Sequence, residues 1–170
     1  FGGWSPMSQN MFHTAKPDEF GYEYFFWPED GPSYPGKVSY AVLKQPTTSM
    51  KTTLNIADIE GKAGVLFGYA YSAGSGAGFG AFTHGLASIS GERLFQVAHV
   101  DSSAAVVFEE STNLSGEVTI EVRDSPGGYE VLLNDESFGE FSPKDVPGCC
   151  YPVYGLINCE SEATFKNISF

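Results

Sequence analysis

The stretch "EVTIEVRDSPGGYEVLLND", residues 117–135, alternates apolar and polar side chains with a period of two. Successive side chains of a β-strand point to opposite faces, so this alternation is typical of a strand with one buried face. The apolar positions are Val118, Ile120 and Val122, followed by Tyr129, Val131 and Leu133. Between the two halves, "DSPGG" supplies the residues that tight turns prefer. The stretch therefore predicts two antiparallel strands joined as a hairpin.

The same period recurs along most of the chain, and clusters of Gly, Pro, Asn, Asp or Ser separate the segments. It predicts further strands near residues 20–27, 37–44, 51–57, 63–71, 77–84, 93–100, 104–109, 152–158 and 163–170. No long window is rich in helix formers, and no unit of about 20–50 residues repeats. Short strands without intervening helices indicate an all-β antiparallel sandwich or barrel. Residues 1–35 are rich in aromatics and proline but weakly periodic, and we expect them to form an N-terminal arm across a sheet.

The composition favours one folded domain and argues against several classes of partner. Of the 170 residues, 42% are hydrophobic and 15% aromatic, which is ample for a core. Nine basic residues against 21 acidic ones give a net charge of −12, so nucleic acid and anionic membranes are unsuitable partners. No stretch approaches the ~20 apolar residues of a membrane span. An acidic surface of this kind suits a secreted protein.

The glycine-rich stretch "GYAYSAGSGAGFGAFTHG", residues 68–85, satisfies a relaxed Gly-x-Gly-x-x-Ala pattern. No helix or βαβ unit follows it, so a dinucleotide site is not expected. The stretch instead predicts a hairpin in which one strand ends at Tyr71, a glycine loop turns, and "FGAFTHG" returns. Glycine in a strand permits close approach of another backbone or of a ligand.

Catalytic and metal-binding motifs are weak throughout the sequence. Jelly-roll glucanases commonly carry Glu-x-Asp-x-x-Glu, which does not occur here, and no Gly-x-Ser-x-Gly or His-Glu-x-x-His is present. We therefore expect no enzymatic activity and no cofactor. Calcium is the one metal for which oxygen ligands are available at loop ends, at Asp30, Asp101 and Asp135, although ordinary turn chemistry also explains these residues.

All three cysteines lie within "CCYPVYGLINC", residues 149–159. If residues 152–158 form one extended strand, they span about 20 Å, whereas a disulfide tolerates Cα separations of about 7 Å. A Cys150–Cys159 bridge therefore conflicts with the strand. Three arrangements remain open: a vicinal Cys149–Cys150 disulfide, which we favour, a Cys149–Cys159 bridge after a local hairpin, and free thiols.

Four segments carry a resemblance to a known class of domain, across about residues 50–170. They are "KAGVLFGYAY", "GEVTIEVRDSPGGYEVLLNDESF" with its turn at Asn134-Asp135, "YPVYGLIN" and "EATFKNISF". Their order and spacing resemble laminin G-like domains of the concanavalin A-like jelly-roll class, above all fructan-binding carbohydrate-binding modules and keto-disaccharide hydrolase-like domains. Those relatives often carry an arginine where this chain has Gly68-Tyr69, so their ligand preference does not carry over.

The resemblance implies a two-sheet antiparallel jelly-roll sandwich that spans residues 1–170 as a single domain. It also implies a non-catalytic, extracellular or cell-surface module that binds carbohydrate. Aromatic rings pack against sugar CH groups while polar tips bond hydroxyls. The candidate binding residues are Tyr69, Tyr71, Phe82 and His84, with Trp27, Tyr151 and Tyr154 as further candidates. Because side chains alternate along a strand, core packing is the alternative role for each of them.

Two other classes of function remain open. The first is a structural or adhesive subunit of a surface layer or extracellular filament, in which the N-terminal arm adds a strand to a neighbour's sheet edge and the chain self-associates. The second is a glycan-active hydrolase or lyase whose site is assembled from distant strands.

Overall fold

The computed structural model describes residues 4–8, 11–14, 22–23, 38–42, 47–72, 79–99, 106–141, 151–159 and 161–170. Within these ranges the chain forms fourteen strands and one turn of 3₁₀ helix, Ile56–Asp58. The strands are β1 (Trp4–Ser8), β2 (Met11–Thr14), β3 (Tyr22–Glu23), β4 (Val38–Val42), β5 (Ser49–Asn55), β6 (Lys62–Ser72), β7 (Phe79–Ser90), β8 (Leu94–His99), β9 (Val106–Ser111), β10 (Glu117–Ser125), β11 (Gly128–Leu133), β12 (Glu136–Phe141), β13 (Tyr151–Cys159) and β14 (Ala163–Ser169).

The strands form two sheets of seven strands each. The first sheet has the order β1-β2-β14-β5-β10-β11-β12, and the second has the order β3-β4-β13-β6-β7-β8-β9. Among the described strands, neighbours pair antiparallel except β3 and β4, which are parallel. The all-β, two-sheet antiparallel sandwich is therefore confirmed. The same ranges contain no helix with the length and apolar character needed to cross a membrane.

The hairpin predicted from residues 117–135 is confirmed. Strands β10 and β11 pair from Ile120 opposite Leu133 to Ser125 opposite Gly128, which leaves Pro126-Gly127 as a two-residue turn. The next turn, at Asn134-Asp135, has φ values of 50° and 65°, as a type I′ hairpin turn requires. It leads into β12, a strand that the sequence did not predict because its residues do not alternate cleanly.

The hydrophobic core lies between the two sheets. The apolar residues of β10 and β11 that alternate in the sequence are at most 3% exposed, and they belong to one cluster with residues of the second sheet. Those partners include Val65, Phe67, Ala87, Ile89, Phe95 and Val97. Fully burying a side chain of this size contributes about 1.5–3 kcal/mol, so the inward residues of β10 and β11 contribute to holding this sheet against the other.

The glycine-rich stretch forms the predicted β6–β7 hairpin, and its loop at residues 73–78 lies outside the described part. Strand β7 continues to Ser90, beyond the predicted end near residue 84, because its second half also pairs with β8. The register shifts between Phe67 and Gly68, at a bulge in β7. Gly64 is required by packing, because a Cβ atom there would collide with the carbonyl oxygen of Ala87.

Part of the predicted N-terminal arm belongs to the first sheet. Strand β1 pairs with β2, and β2 pairs with β14 in a register that joins Phe12 to Phe165. These strands extend the sheet of their own chain edge to edge, whereas the sequence suggested a segment lying across a sheet. The interval from residue 15 to residue 35 is described only at β3.

Strand β13 keeps one register against β6 from Tyr151 opposite Ala70 to Cys159 opposite Lys62. Gly155 lies within this register and does not bend the strand. Eight residue steps of an extended strand span roughly 26 Å, so Cys159 lies far from the start of β13, which Cys150 directly precedes. The strand thus has the extended form that conflicts with a Cys150–Cys159 bridge. Cys149 and Cys150 lie outside the described residues, and their vicinal disulfide stays a prediction.

Candidate functional site

Four of the predicted binding residues occupy neighbouring backbone positions at one end of the second sheet. Tyr69 of β6 is the register partner of Phe82 in β7, and Tyr71 is the partner of Gly80. On the other side of β6, Tyr151 of β13 is the partner of Ala70. We call this region, defined by the positions of Tyr69, Tyr71, Phe82 and Tyr151, the aromatic end.

His84 lies next to the aromatic end, in the bulge of β7. Its neighbours Thr83 and Gly85 pair with Gly68 and Phe67, so His84 has no register partner in β6. Bulges re-aim side chains and are over-represented beside binding sites. The remaining aromatic candidate, Trp27, lies outside the described residues.

Tyr154 lies in the core at the border of the aromatic end. It is 1% exposed, and its ring meets that of Tyr129 edge-on, with ring centroids 6.0 Å apart. Tyr129 in turn packs against Phe67 at 4.6 Å. A ring so deeply buried has no face open to a sugar, so Tyr154 packs the core, the alternative role that the sequence left open for it.

The hydroxyl group of Tyr154 connects the two sheets. It donates a hydrogen bond to Oδ1 of Asp124 in β10, and the carbonyl oxygen of Thr48 lies 3.3 Å from it. The backbone N–H of Asp124 donates to the same Thr48 carbonyl at 2.8 Å. We call Thr48, Asp124 and Tyr154 the rim cluster. Because Tyr154 is the register partner of Phe67, the rim cluster lies two residues along β6 from Tyr69.

Burial raises the pKa of Asp124, while the hydrogen bond from Tyr154 opposes the rise. The residue as a whole is exposed, so it is the carboxyl group, turned towards Tyr154, that is partly removed from water. Asp124 forms none of the ion pairs found in the described ranges. Sequence reasoning missed this residue, although a signal was present: position 124 is the next inward step after Val118, Ile120 and Val122.

A second polar group lies on the outer face of the second sheet. Gln96 is 7% exposed, accepts a hydrogen bond from Lys62, and donates one to Glu109. Its register partner Ser88 is 1% exposed, and the Ser88 hydroxyl has no hydrogen-bond partner among the described residues. The sequence did not indicate this polar group, because its residues are far apart in the chain and none of them belongs to a motif.

Of the three candidate calcium ligands, Asp135 is the one that lies in the described part of the chain. Asp135 lies in the β11–β12 turn and forms an ion pair with Lys51 at 2.6 Å, while Asp30 and Asp101 lie outside the described ranges. Within those ranges, no three His, Cys, Asp or Glu side chains are grouped as metal ligands would be.

Comparison with solved structures identifies the type of sandwich. Carbohydrate-binding module CBM66 from Bacillus subtilis matches with a TM-score of 0.55 at 12% identity, over 99% of this chain and 90% of that one. This likeness confirms the jelly-roll fold that the sequence resemblance implied.

Two galectin structures also match the chain. A tetrameric galectin from the ball sponge Cinachyrella sp. matches with a TM-score of 0.47 at 10% identity, over 78% of this chain and 97% of that one. Chicken galectin 2 matches with a TM-score of 0.46 at 15% identity, over 75% and 96%. No protein-family model matches the sequence, and no curated protein matches it either.

Proposed function

We propose that this chain is a non-catalytic carbohydrate-binding module of an extracellular or cell-surface protein, and that its ligand lies at the aromatic end. The observation that carries the proposal is the register of β6 and β7, which places Tyr69 opposite Phe82 and Tyr71 two residues further along β6. Tyr151 lies near them in β13, but its register partner is Ala70, so it is one step out of phase with Tyr69 and Tyr71. Aromatic rings beside polar groups suit saccharides, because sugar CH groups pack on rings while hydroxyls need hydrogen-bond partners.

Three further points support the proposal. The chain shares its fold with a carbohydrate-binding module at a TM-score of 0.55. Its sequence lacks the paired-carboxylate motif of jelly-roll glucanases, which favours binding without catalysis. Strands β1 and β2 pair within their own sheet, so we prefer a binding module to an adhesive subunit that lends its arm to a neighbour.

The proposal is tested with a glycan array on the purified chain, run once with calcium and once with EDTA. We expect selective binding to one class of glycan. A loss of binding in EDTA would add calcium to the site and direct attention to Asp30, Asp101 and Asp135. If the chain binds no glycan on the array, either with calcium or with EDTA, the proposal is contradicted.

Titration of the bound glycan with the double variant Tyr69→Ala/Tyr71→Ala then locates the site. We expect affinity to fall at least about tenfold, as for central aromatic residues of an interface. The matched control is Phe170→Ala, which removes a ring that is 58% exposed beyond the end of β14, in the other sheet. Equal affinity in the double variant and the control would place the ligand elsewhere.

A further inference from the structure

Asp124 is an inward-facing carboxylate at the end of the sandwich. It follows the core residues Val118, Ile120 and Val122 at the next two-residue step of β10. The hydroxyl of Tyr154 reaches it from the opposite sheet, and its backbone N–H is bound to Thr48. The carboxyl group is therefore held from the opposite sheet by Tyr154, and the backbone of Asp124 is held by Thr48, which directly precedes β5.

The second carboxylate oxygen is available to a ligand. Oδ1 receives the bond from Tyr154, whereas no hydrogen bond to Oδ2 occurs in the described part of the chain. The residue is exposed, so a ligand can reach it from solvent. A carboxylate oxygen accepts a strong, charge-assisted hydrogen bond from a hydroxyl group.

The surroundings of Asp124 are rigid on the core side. The ring of Tyr129 packs between those of Phe67 and Tyr154, and the planes of the Tyr129 and Tyr154 rings are nearly perpendicular, at 84°. All three side chains are at most 1% exposed. This packing holds the ring of Tyr154 in place, and Tyr154 in turn holds the carboxyl group of Asp124. The carboxyl group lies at the border of the aromatic end, because Tyr69 and Tyr71 follow Phe67 at two-residue steps along β6.

The charge of the site favours one class of saccharide. The chain has a net charge of −12, and no ion pair in the described ranges neutralises Asp124. A carboxylate accepts hydrogen bonds from hydroxyl groups, but it repels the carboxylate or sulfate group of an acidic sugar.

We propose that Asp124 accepts a hydroxyl hydrogen bond from a neutral saccharide bound at the aromatic end, and that it selects against acidic saccharides. This inference rests on the proposed function, because it names the ligand class and a specificity residue of the same site. Tyr154 is a positioning residue here, since it acts by holding the carboxyl group.

The test is calorimetric titration against a panel of soluble polysaccharides, with Asp124→Asn as the variant. The neutral members are levan, inulin, galactan, mannan and arabinoxylan, and the acidic members are polygalacturonate and alginate. Asparagine keeps an acceptor for Tyr154 but removes the charge, so the fold is retained, which a thermal melt checks. The matched control is Asp58→Asn, which changes an exposed aspartate beyond the opposite end of β5.

We expect the wild-type chain to bind at least one neutral polysaccharide and neither acidic one. Asp124→Asn should weaken that binding at least about tenfold, the size expected for one hydrogen bond to a charged group. Asp58→Asn should change it less than twofold. If Asp124→Asn fails to fold, carbodiimide labelling of the wild-type chain replaces it: the bound polysaccharide should protect Asp124 and leave Asp58 equally reactive.

The outcomes separate this inference from the function on which it rests. A wild-type chain that binds no polysaccharide on the panel or the array overturns both. Binding to acidic polysaccharides, or neutral binding that neither depends on nor protects Asp124, overturns the inference alone and leaves the carbohydrate-binding function standing.

Discussion

The outer faces of the two sheets differ in how they meet their surroundings. On the first sheet, ion pairs join side chains on neighbouring or next-but-one strands, and these side chains keep between 23% and 75% exposure. These pairs are Lys166–Glu117, Lys51–Asp135 and Arg123–Glu130, at 2.6–2.8 Å. On the second sheet, five residues of the outer face are at most 8% exposed, namely Leu66, Leu86, Ser88, Gln96 and Ile157, whereas Lys62 is half-buried and Glu109 is exposed on the same face.

The contrast has a counterpart in the sequence. Strand β10 alternates strictly, which predicts one wet face, whereas "AGVLF" in β6 and "GLASI" in β7 are almost continuously apolar. Such runs are typical of strands that are buried on both faces. The outer face of the first sheet is therefore exposed to solvent and carries ion-paired side chains. Leu132 is an exception on this face, because it is only 6% exposed. In the second sheet, these stretches of β6 and β7 are buried on both faces.

The largest effect that would test this contrast is expected for Leu66→Ala. Leu66 is 3% exposed on the outer face of β6, and truncating a fully packed leucine costs about 2–5 kcal/mol. Urea denaturation measures the loss. The control is Lys51→Ala on the first sheet, where an exposed ion pair contributes about 0–1 kcal/mol. If the two variants lose similar free energies of unfolding, the outer faces of the two sheets do not differ as described.

Gly64→Ala tests the close approach of β6 and β7 in the same layer. The added Cβ meets the backbone of Ala87 and Ser88, which no side-chain rotation relieves. We expect the free energy of unfolding to fall by about 1–3 kcal/mol, as in overpacked cores. The control is Gly116→Ala, where no atom of the described residues lies within 4 Å of the added Cβ and the cost arises from the φ of +74°. A stabilised Gly64→Ala variant would contradict the packing described here.

Ser88→Ala should have a smaller effect of the opposite sign. The hydroxyl of Ser88 is buried and has no hydrogen-bond partner in the part of the chain that the structure describes. Removing it removes the cost of taking an unbonded hydroxyl out of water. We expect stability in urea to be unchanged or to rise by up to about 1 kcal/mol. A loss larger than this would mean that the hydroxyl is bound, for example by a buried water molecule.

The smallest expected effect is the pH dependence of stability that arises from Glu130 on the outer face of the first sheet. Hydrogen bonds from Arg123 and then Ser137 lower the pKa of Glu130 below its usual 4.5. A lowered carboxyl pKa contributes stability above the unfolded value, and this contribution is lost as pH falls through the folded pKa. Glu130→Gln should therefore lose less stability than the wild type between pH 6 and about pH 3.

The Glu130 effect should also shrink in high salt, because both partners are solvent-accessible. Thermal melts at several pH values and two ionic strengths measure it. Identical pH profiles for the variant and the wild type would show that the ion pair contributes nothing on this face.

The sequence predicted the strands well where they are bounded by strong turn residues. The β10–β11 hairpin has the predicted alternation and its turn at Pro126-Gly127, and the β6–β7 hairpin has the predicted order. Strands β1, β2 and β12 were not predicted, because they lie at or near the sheet edges, where burial imposes a weaker alternation. The candidate binding residues Tyr69, Tyr71, Phe82 and His84, with Trp27, Tyr151 and Tyr154, were chosen by residue type, which does not show which strands lie side by side.

The sequence by itself determined the period-two strands and the hairpin turns, because pleat and turn chemistry depend on residues only a few positions apart. Only the tertiary structure decided that β14 lies between β2 and β5, and that β13 lies between β4 and β6. It alone brought Tyr154 to Asp124 across the sandwich, 30 residues apart in the chain. Such contacts depend on how whole strands pair and stack. A local sequence pattern does not specify which distant strand pairs with a given strand.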